Sequence, residues 1–348
     1  MGASEALSAA NGVAEAVLLR AAMGLPESVQ ARLAGRPVVL DGQRLAPETQ
    51  LMLRLQRLAR LPGAETLPIA EGRAAVAHHA GLAAGQQPIG AVRDFPVGDL
   101  PARLYTPTDV SGPTPLLVFF HGGGFMYGDL ESHDAPCRVL AEQARVRVLA
   151  IDYRMGPEDP FPAAYDDALA AYEWAVVNAE SLGCDPQRLA VGGDSAGGNL
   201  AAGVALEAAR RGWPLAFQLL VYPATDCDRQ TRSFDMFGEG FYLTRAFMDL
   251  ANECYIPAGH DLHDPRLSPL FADIPDGVAP AFVATAGFDP LRDEGEAYAH
   301  KLTDAGADVE LRRYPDQIHG FFNIVGVGRR SPAAVHEIAA KLGDALRG

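Results

Sequence analysis

From about Ile89 onward the chain alternates between two patterns. Short β-branched and aromatic runs end at Gly, Pro or Asp clusters, and longer stretches with helical periodicity separate them. The runs predict strands near Ile89–Val97, Leu100–Tyr105, Leu116–Phe120, Val146–Ile151, Leu189–Gly193, Phe217–Tyr222, Ala281–Ala286 and Val309–Tyr314. The intervening stretches predict helices near Ala135–Arg145, Ala163–Ser181, Gly197–Arg211, Leu291–Ala305 and Ser331–Leu346. Most of the later runs are apolar at every position rather than at every second one, so both faces of each strand must be covered. A parallel sheet between two helical layers meets that demand. The expected architecture is therefore α/β, with an eight-stranded, mostly parallel sheet, flanking helices and right-handed crossovers.

Two regions fall outside the alternation. Residues 1–80 read as mainly helical, with Leu45, Leu51, Leu55 and Leu58 forming an apolar face on a helix opened by Pro47 and Glu48. Residues from about 224 to 265 interrupt the sheet between two strands and carry Phe234, Phe237, Phe241, Tyr242 and Phe247. Long insertions at the ligand end of an α/β sheet are often lids. The same aromatics would also serve as the core of a small helical subdomain. No Pro/Ser/Gly-rich linker joins either region, so both are expected to pack on the sheet.

Composition removes several function classes. The 348 residues allow one large domain or two small ones, and 48% hydrophobic with 21% charged content is a globular mix. A formal charge of −15 repels phosphate backbones, so no nucleic-acid partner is expected. Lys301 and Lys341 are the only lysines and neither follows a glycine-rich loop, which leaves no candidate for a Walker loop or a Schiff base. No run reaches the roughly 18 apolar residues of a membrane span. Residues Met1–Leu25, with Glu5 and Glu15 ahead of the first Arg, do not read as a secretory leader. Cys137, Cys184, Cys227 and Cys254 form no C-x-x-C, so neither a disulfide framework nor a zinc cluster is indicated and a reduced, cytoplasmic setting fits. His260 and His263 lie beside Pro265 without the Glu of a zinc-hydrolase helix, and His78-His79 cannot share a helix face, so no metal is expected.

Two glycine-rich motifs carry the chemistry. Gly193-Asp194-Ser195-Ala196-Gly197 is a G-x-S-x-G between a predicted strand and a predicted helix, the context in which a serine is presented on a tight turn. His121-Gly122-Gly123-Gly124-Phe125 directly follows the strand Leu116–Phe120. Serine attack on a carbonyl creates a tetrahedral oxyanion that needs preorganised N–H donors. The glycine loop and the residue after the serine can supply them, which assigns Gly123, Gly124 and Ala196. A nucleotide-binding loop is the functional rival, but no G-x-G-x-x-G opens a helix here. Serine also needs a base, and the base an orienting carboxylate. Around such an elbow the chain order is Ser, acid, His. His319 follows the last predicted strand, whereas His300 and His336 fall within helices; Asp289 follows the strand Ala281–Ala286, with Asp293 as competitor one turn into the next helix.

Together H-G-G-G-F at 121–125, G-D-S-A-G-G-N at 193–199, D-P-L-R-D-E at 289–294 and H-G-F at 319–321 resemble the hormone-sensitive-lipase-like esterases of the α/β-hydrolase superfamily. Asp152-Tyr153-Arg154, Pro157-Glu158, Phe161-Pro162-Ala163 and Ser268-Pro269-Leu270 extend the resemblance, and Met155-Gly156 departs from it where the family more often has Leu-Ala. The resemblance covers about Ile89 to Gly348 and implies a cofactor-free serine carboxylesterase with an α/β-hydrolase fold. Ser195 would be its nucleophile, Asp289 its acid and His319 its base. Residues 81–348 would form the catalytic domain, capped by residues 1–80 and the insertion at about 224–265. Its partner would be a small ester, which the enclosed pocket under the cap would limit to short or medium acyl chains, and a homodimer stays open as its assembly. An amide or N-acyl hydrolase uses the same constellation. A ligand receptor on the same fold is the alternative outside enzymes, and the intact triad argues against it.

Overall fold

The computed structural model describes residues 15–60 and 62–347; the first fourteen residues of the predicted N-terminal region and Gly348 lie outside the described residues. One sheet holds eight strands: β1 (Ala91–Val97), β2 (Leu100–Thr106), β3 (Thr114–Phe120), β4 (Arg147–Ile151), β5 (Cys184–Asp194), β6 (Phe217–Val221), β7 (Ala281–Phe288) and β8 (Val309–Ile318). Their spatial order is β8-β7-β6-β5-β3-β4-β2-β1. The β1–β2 and β2–β4 pairs are antiparallel and every other pair is parallel. This is the α/β-hydrolase sheet that the alternation and the resemblance led us to expect. Every predicted strand overlaps an observed one. The largest boundary difference is at β5, which begins at Cys184 rather than Leu189 because Thr114 pairs with Cys184 through a polar stretch that carries no apolar signal.

All seven residues of β3 are buried, and alternate side chains feed two cores. Leu116, Val118 and Phe120 pack into the layer containing α5 (Ala163–Asn178), α6 (Ala196–Arg211) and α9 (Arg292–Asp304). Leu117 and Phe119 pack into the opposite layer with α4 (Asp134–Ala144) and α10 (Arg330–Leu346). At about 25 cal/mol per Å² of apolar surface withdrawn from water, these two layers are what holds the sheet together. The insertion between β6 and β7 contains α7 (Arg232–Phe237) and α8 (Arg245–Tyr255). Each starts on a threonine whose hydroxyl accepts an N–H: Thr231 from Phe234 and Thr244 from Phe247.

Ahead of the sheet lie a helical stretch over 15–23, α1 (Glu27–Ala34), a two-residue hairpin, α2 (Pro47–Ala59) and α3 (Ile69–Ala84). The expected stripe on α2 is only half right. Leu45 and Leu51 are buried, but Leu55 and Leu58 are 38% and 68% exposed. The helix is turned so that polar side chains do work inside. Gln50 donates to the Ala34 and Arg36 carbonyls, closing the end of α1, and accepts the Val38 N–H. The Glu48 carboxylate accepts the N–H groups of Arg329 and Arg330 at the start of α10, with its nearest contact at 2.7 Å. A carboxylate at a helix N-terminus satisfies orphan donors and meets the positive end of the dipole.

Two predictions follow from these anchors. Glu48→Ala leaves the first N–H groups of α10 without their acceptor and is expected to lower stability by about 1–3 kcal/mol in urea unfolding; an unchanged midpoint would mean that α10 starts without help. Glu294 is fully buried in the first turn of α9, where Oε1 accepts the Thr225 and Asp226 N–H groups at 2.7 and 3.2 Å. It thereby pins the chain as it leaves β6. Burial pushes its pKa up to about 8, against the pull of Arg229 and those two donors. The folded chain therefore keeps a proton that the unfolded chain releases near 4.5, and stability falls as pH rises from there to about 8. Glu294→Gln keeps the acceptor and cannot ionise, so its Tm should gain on wild type between about pH 5 and 8. A gap that stays constant or shrinks over that range would contradict the assignment.

Candidate active site

Sheet register brings the motifs together. Gly193 on β5 lies opposite Phe120 on β3, so the glycine loop leaves β3 beside the turn that ends β5. That turn is strained: Ser195 sits at φ 57°, ψ −117°, a region that side chains avoid. Its own N–H donates to the Val221 carbonyl at 2.9 Å, and its carbonyl accepts the Ala224 and Asn199 N–H groups, which hold the turn from three sides. Gly197 has no alternative here, because a Cβ would overlap the Phe120 carbonyl.

The same logic places the other two motifs. Ile318 on β8 pairs with Phe288 on β7, so the next residue on each strand, His319 and Asp289, emerges side by side. The pairing shifts between Tyr314 and Ile318, and the Asp316 carbonyl freed there accepts the Ala46 N–H of the N-terminal region. His319 Nδ1 is 2.7 Å from Asp289 Oδ2, and His319 Nε2 is 2.9 Å from Ser195 Oγ. Asp289 is wholly buried, and its Oδ1 accepts the Leu291 N–H at 2.8 Å, so its second oxygen is held for the imidazole. With Nδ1–H donated to the carboxylate, the Nε2 lone pair faces the serine hydroxyl. Asp293 is otherwise engaged: its carboxylate accepts from the Ser233 N–H and from Arg292 Nε. His300 and His336 are exposed on their helices.

In the glycine loop Gly123 (φ 125°) and Gly124 (φ 64°) turn the backbone, and the Gly123 carbonyl accepts the Met126 and Tyr127 N–H groups. The N–H groups of Gly123, Gly124 and Ala196 have no acceptor among the described residues. They are what an oxyanion beside Ser195 would need. One residue that sequence reasoning did not single out is Asp194, whose carboxylate accepts the Gly122 N–H at 2.8 Å. Another is Tyr222, whose ring lies 4.3 Å from that of His319. Asp194 stood inside a quoted motif, but nothing in its spacing pointed to what it touches.

The insertion lies directly over these loops. A Cβ at Gly124 would meet Phe247 and Ala251 of the α8 segment, each at 3.0 Å, and one at Gly320 would meet the Tyr242 ring at 3.0 Å. The aromatics of the insertion therefore divide. Phe237 and Phe241 pack on Phe288 as ordinary core with Leu45 and Leu53, and Phe234 lies under the Arg245 guanidinium at 4.1 Å. Phe247 and Tyr242 are left to border the site. The Met155-Gly156 departure also has a local reason, since a Cβ at Gly156 would run into the Cys254 carbonyl at the end of α8. His260 pairs with Asp264 at 3.1 Å.

Comparison with known proteins agrees with this geometry. A family model described as the alpha/beta hydrolase fold matches residues 117–323. The chain is 46% identical over 321 residues to the carboxylic ester hydrolase LipN of Mycobacterium tuberculosis, covering 89% of this chain and 85% of that protein. It is 42% identical to the carboxylesterase NlhH of the same species, over 71% of this chain and 79% of the other. Among solved structures, an ester hydrolase from the metagenome of Lake Arreo superposes with a TM-score of 0.83 at 45% identity, covering 86% of this chain and 98% of that one. The esterase of Pyrobaculum calidifontis gives 0.82 at 37% identity, with the same coverage of each chain. By sequence and by fold, the chain belongs to the hormone-sensitive-lipase-like esterases of the α/β-hydrolase superfamily.

Proposed function

We propose that the chain hydrolyses carboxylic esters through an acyl-enzyme, with Ser195 as nucleophile, His319 as general base and Asp289 as its orienting acid. The observation that carries this reading is the unbroken hydrogen-bonded chain from Asp289 through His319 to Ser195 Oγ, set beside backbone donors that have no other acceptor. Ser195 Oγ attacks the ester carbonyl carbon while His319 Nε2 takes its proton. The carbonyl oxygen becomes an oxyanion held by the N–H groups of Gly123, Gly124 and Ala196. Collapse of the intermediate expels the alkoxide, which takes the proton from His319 and leaves as the alcohol. Water, deprotonated by His319, then attacks the acyl-serine, and a second collapse breaks the acyl bond to Ser195 Oγ, which takes the proton back from His319 as the acid leaves. Asp289 stays ionised throughout and stabilises the imidazolium.

Ester rather than amide cleavage is supported by the relatives' names, which include an ethyl acetate hydrolase of Pseudomonas putida, 42% identical over 65% of this chain. We also read the N-terminal region (1–80) and the insertion (about 224–265) as a cap on the catalytic domain (81–348). Two contacts support that reading: Thr244 at the start of α8 donates to Glu65 at 3.0 Å, and Arg73 of α3 binds Glu158 and the Met126 and Gly156 carbonyls. A cytoplasmic location agrees with four free cysteines, three of them buried. No helix among the described residues is long and apolar enough to cross a membrane. A homodimer remains part of the proposal, to be read from sedimentation of the purified chain.

Ser195→Ala is expected to leave a folded protein whose p-nitrophenyl butyrate hydrolysis is down about 10⁴-fold or more, His319→Ala to lose as much, and the double mutant little more. Asp289→Asn should lose roughly 10³ to 10⁴-fold by favouring the wrong histidine tautomer, and Asp293→Asn far less. Additive losses, or the reverse ranking of the two aspartates, would overturn the assignment.

Chain-length preference tests the cap. Each methylene buried should add about 0.8 kcal/mol to transition-state binding until the space bounded by Phe247 and Tyr242 is full. Activity, as kcat/KM on p-nitrophenyl esters, should therefore peak at roughly four to eight acyl carbons, and Phe247→Ala should move the peak to longer chains. A steady rise to about sixteen carbons, or a peak unmoved by Phe247→Ala, would contradict the enclosed site.

A further inference from the structure

Asp194 precedes the proposed nucleophile, yet its side chain turns away from solvent, 3% exposed, into a buried polar cluster. Its Oδ1 accepts the Gly122 N–H at 2.8 Å and lies 3.2 Å from His133 Nε2, and the Tyr222 hydroxyl donates to Oδ2 at 3.3 Å. An unpaired carboxylate at such a place would be costly. Burial raises its pKa, but the His133 charge and hydrogen bond, with the Gly122 N–H, more than offset this and hold it below the usual carboxylate range.

His133, 4% exposed, stands just ahead of α4. Its Nδ1 lies 3.0 Å from Ser132 Oγ, which is also 3.0 Å from the Asp129 carbonyl. The Ser132 hydroxyl proton can go to either. Donated to Nδ1, it leaves the ring proton on Nε2, which faces Asp194 Oδ1. The third member is Asn323, in the turn after His319, whose side-chain amide lies 3.1 Å from His133 Nε2. Its Oδ1 has no partner among the described residues, and an amide that turns Oδ1 toward Nε2–H gives that oxygen one. The cluster thus joins the glycine loop after β3, the turn after β5 and the loop after β8.

We propose that His133 is a positioning residue for the oxyanion donors, acting through Asp194 on the peptide that leads into Gly123 and Gly124. The inference rests on the esterase reading above. The Tyr153 hydroxyl, donating to the His121 carbonyl at 2.6 Å, fixes the same peptide from its oxygen side. Asp194 fixes it from the N–H side. With His133 removed, the buried Asp194 carboxylate keeps only the Gly122 N–H and the long Tyr222 contact and loses the ring that faces its Oδ1. The Gly122 peptide can then rotate, and the next two N–H groups lose their aim. Donors of this kind act on the transition state and not on the resting ester.

The test combines steady-state kinetics on p-nitrophenyl butyrate with inhibition by an alkyl trifluoromethyl ketone. In the adduct Ser195 Oγ bonds to the ketone carbon, its proton passes to His319, and the alkoxide occupies the oxyanion position. His133→Ala is expected to lower kcat about 10 to 100-fold with KM within about threefold, and to weaken the ketone by the same factor as kcat/KM. His133→Gln, whose amide N–H can reach Asp194, should recover most of that loss. Retained kcat with a raised KM, a kcat loss without matching loss of ketone affinity, or no recovery by Gln would each overturn the proposal. Should His133→Ala fail to fold, Asn323→Ala carries the same test: kcat is expected to fall about two- to tenfold at constant KM, and an unchanged kcat overturns it. A wild type inert on esters, or one not silenced by Ser195→Ala, refutes the underlying reading. An active wild type with an unaffected His133 variant refutes this inference alone.

Discussion

Everything at the site depends on how closely the end of β3 approaches the turn after β5. The Phe120 carbonyl occupies the volume in which a Gly197 side chain would lie, and Gly193 sits opposite Phe120 in register. That contact leaves no freedom in how the two loops face each other. The serine turn is held by main-chain hydrogen bonds to Val221, Ala224 and Asn199, while the start of the glycine loop also leans on the Asp194 and Tyr153 side chains. Strand pairing also acts on the other side, where Ile318 and Phe288 pair one residue before His319 and Asp289. Four loops from four strands converge because the strands are parallel and in register. The strain at Ser195 persists because sheet and helix on either side over-determine it.

Charges at this end of the sheet are buried in pairs rather than left to solvent. Asp289 meets His319, Asp194 meets His133, and Arg292, 3% exposed, meets Asp41 and Asp293. Each pair also accepts or donates to backbone groups, which is the condition under which buried ions hold position instead of destabilising. Such pairs tend to be specific rather than strongly stabilising. A pair with one member removed leaves an uncompensated charge next to the reacting atoms, so a single substitution here costs stability as well as rate.

The central strands are legible in the sequence because cover on both faces leaves few polar positions to blur the pattern, as in Leu116–Phe120. Asp289 is legible because it closely follows an apolar run, Ser195 because its G-x-S-x-G lies between a strand and a helix, and His319 because it is the histidine that follows the last strand and precedes a glycine. Other parts are not. The buried face of α2 could not be read from Leu55 and Leu58, because Gln50 goes inside to meet backbone groups around α1 and Glu48 to meet those at the start of α10. Phe237 and Phe241 could not be told from Phe247 by composition, since the first two meet Phe288 and the last meets Gly124. The contact between His133 and Asp194 joins two segments with no shared periodicity. Only the folded sheet brings them together.

The Glu48 carboxylate is separated from the helix start it serves by 281 to 282 positions in the chain. The acceptor on α2 is thus matched only by donors made some 280 residues later. Until α10 emerges, Glu48 has no donors, and until α2 docks, α10 begins with unsatisfied N–H groups. Closing so long a loop has an entropic cost that grows only slowly with length, but it delays the moment of closure. The Glu48 anchor of α2 is therefore completed only after α10 has been made, whereas Arg73 of α3 finds its partners among residues 126–158 much earlier.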